Sequence, residues 1–237
     1  MRRRIAIIPA RGGSKRIPRK NILNFCGKPM IAYILQAAKE ANLFDIIHVS
    51  TESLAIKKVV EDLGFRVDFL RPEFLADDYT PIMPVLKYVV EVYKNQGEIF
   101  DEVWMLMPCA PLIDASDLKG ASDLFKIGGD AKPVISVSEY PAPIEWAFSR
   151  SDGGDLTPLE PGKFAIRSQD IKKKYFDAGL FCIFPIDRVI ESDLTGSDQG
   201  LIGYIIPKTK AVDIDDECDW KIAEALFIQN SKKLRCF

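Results

Sequence analysis

A glycine-containing loop near the N-terminus concentrates side chains that bind anions. The segment IAIIPARGGSKRIPRKN starts as an apolar run and then places Gly12 and Gly13 among the cations Arg11, Lys15, Arg16, Arg19 and Lys20. Paired glycines allow close backbone approach and expose amide groups, and the cations add positive charge. The segment contains neither GxxxxGK[ST] nor GxGxxG, so it is not a standard Walker loop or dinucleotide fingerprint. The pattern favours a small polyphosphate ligand, with a flexible basic turn as the alternative.

Several cations are needed to compensate the charge of a triphosphate. At an effective dielectric constant of 20, a cation about 4 Å from a phosphate charge contributes on the order of 4 kcal/mol before desolvation. We expect Arg11, Lys15 and Lys20 to contact phosphate, because an extended loop can turn all three toward one ligand. Arg16 and Arg19 are equally consistent with solvated side chains.

A second charged cluster lies far along the chain, in VDIDDECDW. Asp213 and Asp215 are two residues apart in a segment that we expect to be extended, so both carboxylates can point to one side. Mg²⁺ prefers oxygen ligands and is commonly bound by one or two carboxylates together with substrate phosphates. The alternative is a solvated acidic turn that caps the last helix, and that role suits Asp216 better than Asp213.

The spacing of apolar residues predicts the elements that position these clusters. Apolar runs predict strands over residues 5–8, 46–50, 67–70, 103–107, 134–137 and around YIIP, and helical periodicity predicts helices from residue 30, over 56–63, 82–93 and 118–127, and at the C-terminal end. Such alternation predicts an α/β fold with a mostly parallel sheet covered by helices on both faces. The first loop then leaves the carboxyl end of a strand, where ligands of open α/β sheets collect.

The pattern changes between residues 139 and 184. YPAP, SDGGD and EPGKF are rich in turn residues, and the strand-like pieces IEWAFS and AGLFCIF lie among them. We expect an antiparallel excursion from the main sheet that packs in a dimer interface, because isolated strands need a partner surface. A long surface insertion is the alternative.

Composition excludes several classes of protein. A chain of 237 residues with 47% hydrophobic residues can bury the core of one large domain. The formal charge of -2 gives no reason to expect nucleic-acid binding, and no apolar run approaches the ~18 residues of a membrane span. The five scattered cysteines indicate neither a zinc site nor a disulfide framework. We therefore expect a soluble cytoplasmic protein.

The motifs together resemble a known family. ARGGSKRIPRKN, GKPMIAY, VSTES, FLRPEFLADD, the PCAP turn and VDID occur in the order typical of the CMP-sialic acid synthetase family of sugar cytidylyltransferases, over essentially the whole chain. The resemblance implies a Rossmann-like nucleotide-diphospho-sugar transferase fold, with residues 1–237 as a single cytidylyltransferase domain. It also implies a homodimer joined through the protruding segment 139–184, which also contributes to the sugar site. The implied reaction uses CTP, Mg²⁺ and a nine-carbon 2-keto acid sugar.

The resemblance also assigns residues to subsites. It implies that Asn21, Arg71 and the backbone at Pro9 and Ala10 lie near cytidine, with Arg11, Gly12, Gly13 and Ser14 completing the nucleotide site. IRSQD followed by YFDAG is most similar to the members that use pseudaminic acid, which makes Arg167, Gln169 and Asp177 the expected sugar-binding residues. Sialic acid synthetases commonly have glutamine and arginine where this chain has Met107 and Ile113.

Other functions remain open at this point. The sugar can instead be N-acetylneuraminic, legionaminic or 3-deoxy-octulosonic acid. A nucleotide-sugar-dependent glycosyltransferase of related fold is a more distant alternative, as is a nucleotide-binding module without catalysis. His48, the single histidine, is expected to be structural.

Overall fold

A six-stranded sheet with helices on both faces forms the centre of the protein. The computed structural model describes residues 2–192 and 200–233, and of residues 231–233 the backbone alone. The strands are β1 Arg4–Pro9, β2 Asn24–Phe25, β3 Lys28–Pro29, β4 Ile46–Ser50, β5 Glu102–Leu106, β6 Val134–Glu139, β7 Phe148–Arg150, β8 Leu156–Pro158, β9 Tyr175–Pro185 and β10 Ile202–Ile205. The α-helices are α1 Ile31–Ala41, α2 Leu54–Asp62, α3 Ile82–Asn95, α4 Ala115–Ile127, α5 Ile186–Ile190 and α6 Glu217–Lys233.

The sheet has the strand order β10-β6-β9-β5-β1-β4. Neighbouring pairs β1/β4, β1/β5 and β6/β10 are parallel, whereas β9 runs antiparallel to both β5 and β6. The predicted α/β class with a mostly parallel sheet is therefore confirmed. None of the helices in the described ranges combines the length and the apolar character that a membrane span requires.

Strand β1 is buried on both faces, as its uninterrupted apolar run predicted. Ala6 and Ile8 pack in one core with residues of α1, α2 and α4, and Ile5 and Ile7 pack in a second core with residues of α3 and α5. A strand covered on both faces needs apolar residues at every position rather than at alternate ones. The loop that follows β1 is consequently fixed to the most deeply buried part of the sheet.

Two of the predicted elements are wrong. Residues 67–70 form no strand, because the segment packs through its side chains instead: the Phe69 ring stacks on His48 at a centroid distance of 4.4 Å. The apolar piece AGLFCIF belongs to the main sheet as β9 and not to an antiparallel excursion. The piece IEWAFS is divided between a 3₁₀ turn at Ile144–Trp146 and strand β7, which pairs with β8 in a separate two-stranded sheet.

His48 is a buried structural residue in strand β4. Its Nδ1 lies 3.1 Å from Tyr93 Oη, and the Tyr93 hydroxyl donates to Asp68 Oδ2 at 2.7 Å. Because that hydroxyl uses its proton for Asp68, the His48 Nδ1 carries the hydrogen and donates to Tyr93. Burial lowers the pKa of His48 from 6.5 to about 4, so the imidazole is neutral in the folded protein near pH 7.

We predict that His48 makes the free energy of unfolding depend on pH. Its pKa is lower in the folded than in the unfolded chain, so its stabilising effect is complete above pH 6.5 and is lost as the pH falls toward 4. The wild-type protein should lose up to about 3 kcal/mol over this range relative to His48→Asn, which does not titrate there. Urea unfolding of both proteins at pH 7 and pH 4.5 measures the difference. An equal stability difference at the two pH values would contradict the prediction.

Candidate active site

A cleft of about 250 Å³ opens at the carboxyl ends of β1 and β5. Its walls come from four parts of the chain that are distant in sequence, namely the first loop, the turn after β5, Gly179 of β9 and the acidic segment before α6. The lining residues are Pro9, Arg11, Ser14, Lys15, Arg16, Ile17, Lys20, Asn21, Met107, Pro108, Cys109, Gly179, Asp213 and Asp215. The position follows from the fold, because adjacent strands β1 and β5 are parallel and end at the same edge of the sheet.

The cationic loop and the acidic segment meet in this cleft. Lys20 Nζ donates to the Ile214 carbonyl and lies 3.5 Å from Asp215 Oδ1, and the Lys20 side chain is only 18% exposed. Arg16 Nη2 lies 2.8 Å from the same Asp215 oxygen. Arg16 is therefore part of the site, although its sequence context was equally consistent with a solvated side chain.

Asp213 and Asp215 place two carboxylates in the cleft. Desolvation raises the pKa of Asp213, and the neighbouring charge of Asp215 raises it further, with Lys20 acting in the opposite direction. Two crowded carboxylates favour a bound cation, and a divalent ion suits a donor set of carboxylate oxygens with remaining positions for phosphates. Within the described residues, no group of three or more Asp, Glu, His or Cys side chains is arranged to hold a metal alone. A metal at this pair thus needs oxygens from a substrate or water.

The start of helix α6 explains the neighbouring acidic residues. Asp216 Oδ1 accepts hydrogen bonds from the N–H groups of Cys218 and Asp219, at 2.8 and 3.0 Å. Asp219 Oδ2 in return accepts from the N–H groups of Asp215 and Asp216, at 3.0 and 3.1 Å. The capping role belongs to Asp216, as the sequence indicated, and Asp213 stays in the cleft.

Arg11 and Lys15 both form ion pairs with the carboxylate of Asp78. Arg11 Nη1 donates to Asp78 Oδ1 at 2.5 Å and to the Asp77 carbonyl at 3.1 Å, and Lys15 Nζ contacts the other oxygen of Asp78. Asp77 shapes this turn, because its Oδ1 accepts from the N–H groups of Tyr79 and Thr80. The hydrogen bonds from Lys15 and Arg11 lower the pKa of Asp78, which is charged near pH 7.

Three side chains hold the shape of the glycine loop, of which Asn21 and Cys109 are buried and Glu52 is half-buried. Glu52 Oε1 accepts from the Gly12 N–H at 2.6 Å. Asn21 Nδ2 donates to the Arg11 carbonyl at 2.9 Å, and the Asn21 Oδ1 accepts from Cys109 Sγ at 3.2 Å. Burial raises the pKa of Cys109 to about 12, so this thiol is a neutral hydrogen-bond donor and not a nucleophile.

The remaining nucleotide-site candidates lie at the ends of β1 and β4. Pro9 lines the cleft, and Ala10 is fully buried with its N–H donating to the Ser50 carbonyl at 2.9 Å. Gly13 has open space at its Cα. Arg71 is buried and donates to Ser50 Oγ and the Ser50 carbonyl, at 3.1 and 2.6 Å, rather than lining the cleft.

The predicted sugar-binding residues are not all gathered in the cleft. Arg167 and Gln169 are exposed around the 3₁₀ turn Ser168–Asp170, and neither is among the described residues that line the cleft. Asp177 lies closer, because its Oδ1 accepts from the N–H of Gly179 at 2.9 Å. Ile113 is buried in the core, whereas Met107 lines the cleft.

Gly179 brings the backbone of β9 close to the acidic pair. Its φ of +64° is in the left-handed region, and a Cβ there would lie 3.4 Å from Asp213 Oδ2. The pairing of β9 with β6 is irregular at this point, and the buried Ser136 Oγ accepts from the N–H groups of Leu180 and Phe181 instead. Such bulges redirect backbone beside active sites.

Sequence reasoning missed Asp78, Glu52, Gly179 and the link between Asn21 and Cys109. Asp78 and Glu52 lie within two motifs already noted in the sequence, FLRPEFLADD and VSTES, but neither residue was predicted to belong to the site. Their contacts depend on which loops follow neighbouring strands, and the strand order is not readable from a periodic pattern. The Gly179 contact depends on the insertion of β9 between β5 and β6, whereas the local pattern of AGLFCIF indicated a strand without showing its place in the main sheet.

Known proteins with similar sequences are cytidylyltransferases and CMP-sugar synthases. A family model described as cytidylyltransferase matches residues 5–103. The pseudaminic acid cytidylyltransferase of Campylobacter jejuni is 34% identical over 95% of this chain and 97% of its own length. The CMP-N,N'-diacetyllegionaminic acid synthase of Legionella pneumophila is 30% identical over 97% of this chain and 98% of its own length.

The fold is also that of a solved nucleotidyltransferase. The structure of CMP:2-keto-3-deoxy-manno-octonic acid synthetase complexed with CTP superimposes with a TM-score of 0.69 and 15% identity, over 96% of this chain and 99% of that one. The family model and the sequence relatives identify a nucleotidyltransferase, and the fold is the one expected for that class. The chain belongs to the family of sugar cytidylyltransferases, as its motifs predicted.

We predict that Asp78 competes with phosphate for Arg11 and Lys15. Replacement of Asp78 by Asn removes the competing charge, and exposed ion pairs of this kind are weak, so inorganic triphosphate should bind roughly two- to fivefold more tightly. Isothermal titration calorimetry measures the dissociation constant. Asp62→Asn, which removes an exposed partner of Lys58 on helix α2, is the matched control and should have no effect. Unchanged or weaker binding by Asp78→Asn would disprove the competition.

Proposed function

We propose that this protein transfers CMP from CTP to the anomeric hydroxyl of a nonulosonic acid, and that the sugar is pseudaminic acid. The hydroxyl oxygen bonds to the α-phosphorus and releases its proton to solvent, the bond from that phosphorus to the bridging oxygen breaks, and pyrophosphate leaves with the electron pair of that bond. The observation that carries the proposal is the contact of Lys20 with Ile214 and Asp215, which joins the cationic loop to the acidic pair in one cleft. Similarity to the Campylobacter enzyme over nearly the whole chain supports the choice of sugar.

The proposed phosphate site consists of Arg11, Lys15 and Lys20. Release of Asp78 frees Arg11 and Lys15 for the triphosphate, while Lys20 already lies inside the cleft. Gly12 and Gly13, which carry no side chain, and Ser14, which carries a short one, allow the phosphates to approach the backbone of the same loop. Catalysis then comes chiefly from positioning the reactants and compensating the charge of the leaving pyrophosphate.

Asp213 and Asp215 are the residues that would hold Mg²⁺ or another divalent cation. Such an ion compensates phosphate charge and acts as a Lewis acid toward a bound oxygen. The two aspartates share the cleft with the proposed phosphate ligands, which is the arrangement that a cation bound jointly by protein and substrate requires.

Cytidine and the sugar are assigned to the flanks of this centre. We assign cytidine to the side of Pro9, Ala10, Asn21 and Arg71, where β1 and β4 end. Asn21 acts there by holding the Arg11 carbonyl. The sugar is assigned to the side of Asp177, near Gly179.

Arg167 and Gln169 enter the proposed sugar site through the dimer. The segment 139–184 exposes the apolar side chains Phe148, Leu156, Leu159 and Phe164, the last of them 65% exposed, which supports a homodimer contact there. The cytoplasmic location stays a prediction.

The test of the proposed reaction is a CTP-dependent pyrophosphate assay with a panel of purified sugars. Pseudaminic acid should give the highest kcat/KM, and mass spectrometry should identify the CMP-sugar. Legionaminic, N-acetylneuraminic and 3-deoxy-octulosonic acid are the comparison substrates. Turnover only with one of these would refute the sugar assignment, and CTP binding without turnover on any sugar would favour a binding module.

Separate replacement of Lys20 and Asp215 by Ala tests the proposed roles in the reaction. Each variant should lower kcat by roughly 100-fold or more, since each removes charge that acts on the reacting phosphates directly or through a cation. Lys58→Ala removes an exposed lysine of helix α2 and should retain full activity. Near-normal rates from both folded variants would exclude these phosphate and metal roles.

A further inference from the structure

Lys210 connects the acidic segment to a helix that the proposed reaction does not use. Its Nζ lies 2.5 Å from Asp114 Oδ2 and 2.7 Å from Asp117 Oδ2, and its side chain is 21% exposed. Both carboxylates lie at the N-terminal end of helix α4, and Lys210 lies three residues before Asp213. An ammonium group with two carboxylate partners is more strongly restrained than one in a single exposed ion pair.

The two aspartates form a rigid anchor, because they are also the capping box of α4. Asp114 Oδ1 accepts from the N–H groups of Ser116 and Asp117, and Asp117 Oδ2 accepts from the N–H of Asp114. Burial raises the pKa of Asp114, but hydrogen bonds from Lys210 and Ser116 outweigh it and hold the pKa at about 2. The helix itself is fixed in the core through Leu118, Ala121 and Phe125.

Lys210 is the last charged anchor before the acidic pair, and the side chains of Ala211 and Val212 that follow it pack against the core. The chain leaves strand β10 with the Ile206 N–H bonded to the Val137 carbonyl at 2.7 Å. A turn then follows in which the N–H groups of Lys210 and Ala211 donate to the Pro207 carbonyl at 2.8 and 3.1 Å. The Val212 N–H donates back to the Lys210 carbonyl at 3.1 Å, which ties the residue next to Asp213 to the anchored lysine.

The far side of the acidic pair is held differently. Ile214 is fully buried, and Asp219 Oδ2 accepts from the N–H groups of Asp215 and Asp216. Asp215 is therefore restrained by helix α6, whereas Asp213 is held between the core contacts of Val212 and Ile214 and follows the turn that Lys210 anchors.

We propose that Lys210 is a positioning residue that fixes Asp213 for binding a divalent cation, by clamping the acidic segment to the capping box of helix α4. The inference rests on the proposed function for the identity of the cation site. Under this proposal Lys210 affects metal binding although it does not line the cleft.

The test compares metal binding and local order in four proteins. Lys210→Met removes the charge and keeps an apolar stem of similar length, whereas Lys210→Arg keeps a charge that can reach both aspartates. Lys126→Met is the matched control, because it removes the exposed partner of Asp123 at the other end of the same helix. Electron paramagnetic resonance measures binding of Mn²⁺ with CTP present and no sugar. Hydrogen exchange measures protection of the amides of residues 211–215 in the protein alone.

Lys210→Met should weaken Mn²⁺ binding roughly tenfold, as expected when a residue that orients metal ligands is lost. It should also raise hydrogen exchange over residues 211–215, and Lys210→Arg should restore both properties to a large extent. Lys126→Met should match the wild type. Unchanged Mn²⁺ affinity in Lys210→Met would overturn the proposal, as would weaker binding without any change in local exchange.

A second variant tests the same contact in case Lys210→Met does not fold. Asp114→Asn keeps an effective helix cap and removes one carboxylate, so it should weaken Mn²⁺ binding by less than Lys210→Met, and the two effects should be non-additive in the double variant. Additive effects would overturn the clamp. Neither the Mn²⁺ measurement nor hydrogen exchange requires turnover. If no sugar reacts but the variants change Mn²⁺ binding and exchange as expected, the proposed function is refuted and the role of Lys210 stands.

Discussion

The site depends on the contact between a lysine from the first loop and the backbone and carboxylate of a segment near the C-terminal end. Lys20 donates to the Ile214 carbonyl and faces Asp215, and its side chain is mostly buried. A buried ammonium needs such partners, because an unpaired charge in that position would be strongly unfavourable. Lys20 and Asp215 both line the cleft, so the same contact contributes to the charge balance of the lysine and to the shape of the site.

The other cations of the cleft also have carboxylate partners that compensate their charge. Arg11 and Lys15 share Asp78, and Arg16 joins Lys20 at Asp215. These pairs keep the cations close together without leaving them to repel one another. The pairs of Arg11 and Lys15 with Asp78 are partly exposed and therefore weak, so exchange of Asp78 for the proposed phosphate ligand should cost little. The cations of the proposed phosphate site are thus preformed in position, although each of the three has a carboxylate partner.

The antiparallel strand β9 distinguishes this sheet from a purely parallel one and has a consequence for the cleft. Insertion of β9 between β5 and β6 carries its N-terminal half past the carboxyl end of β5, where the Met107 N–H donates to the Leu180 carbonyl at 2.9 Å. The irregular pairing held by Ser136 then places Gly179 against Asp213. A parallel strand in this place would present its other end to the site.

The sequence alone determined the elements with strong periodicity and the residues that carry charge. The apolar run of β1, the helices α1 to α4 and the two charged clusters follow from local patterns, because burial on both faces or on one stripe leaves a regular signature. Tertiary structure decided the strand order, the insertion of β9, the packing of residues 67–70 through Phe69 and the partners Asp78, Asn21 and Lys210. These depend on contacts between residues distant along the chain, which no local spacing encodes.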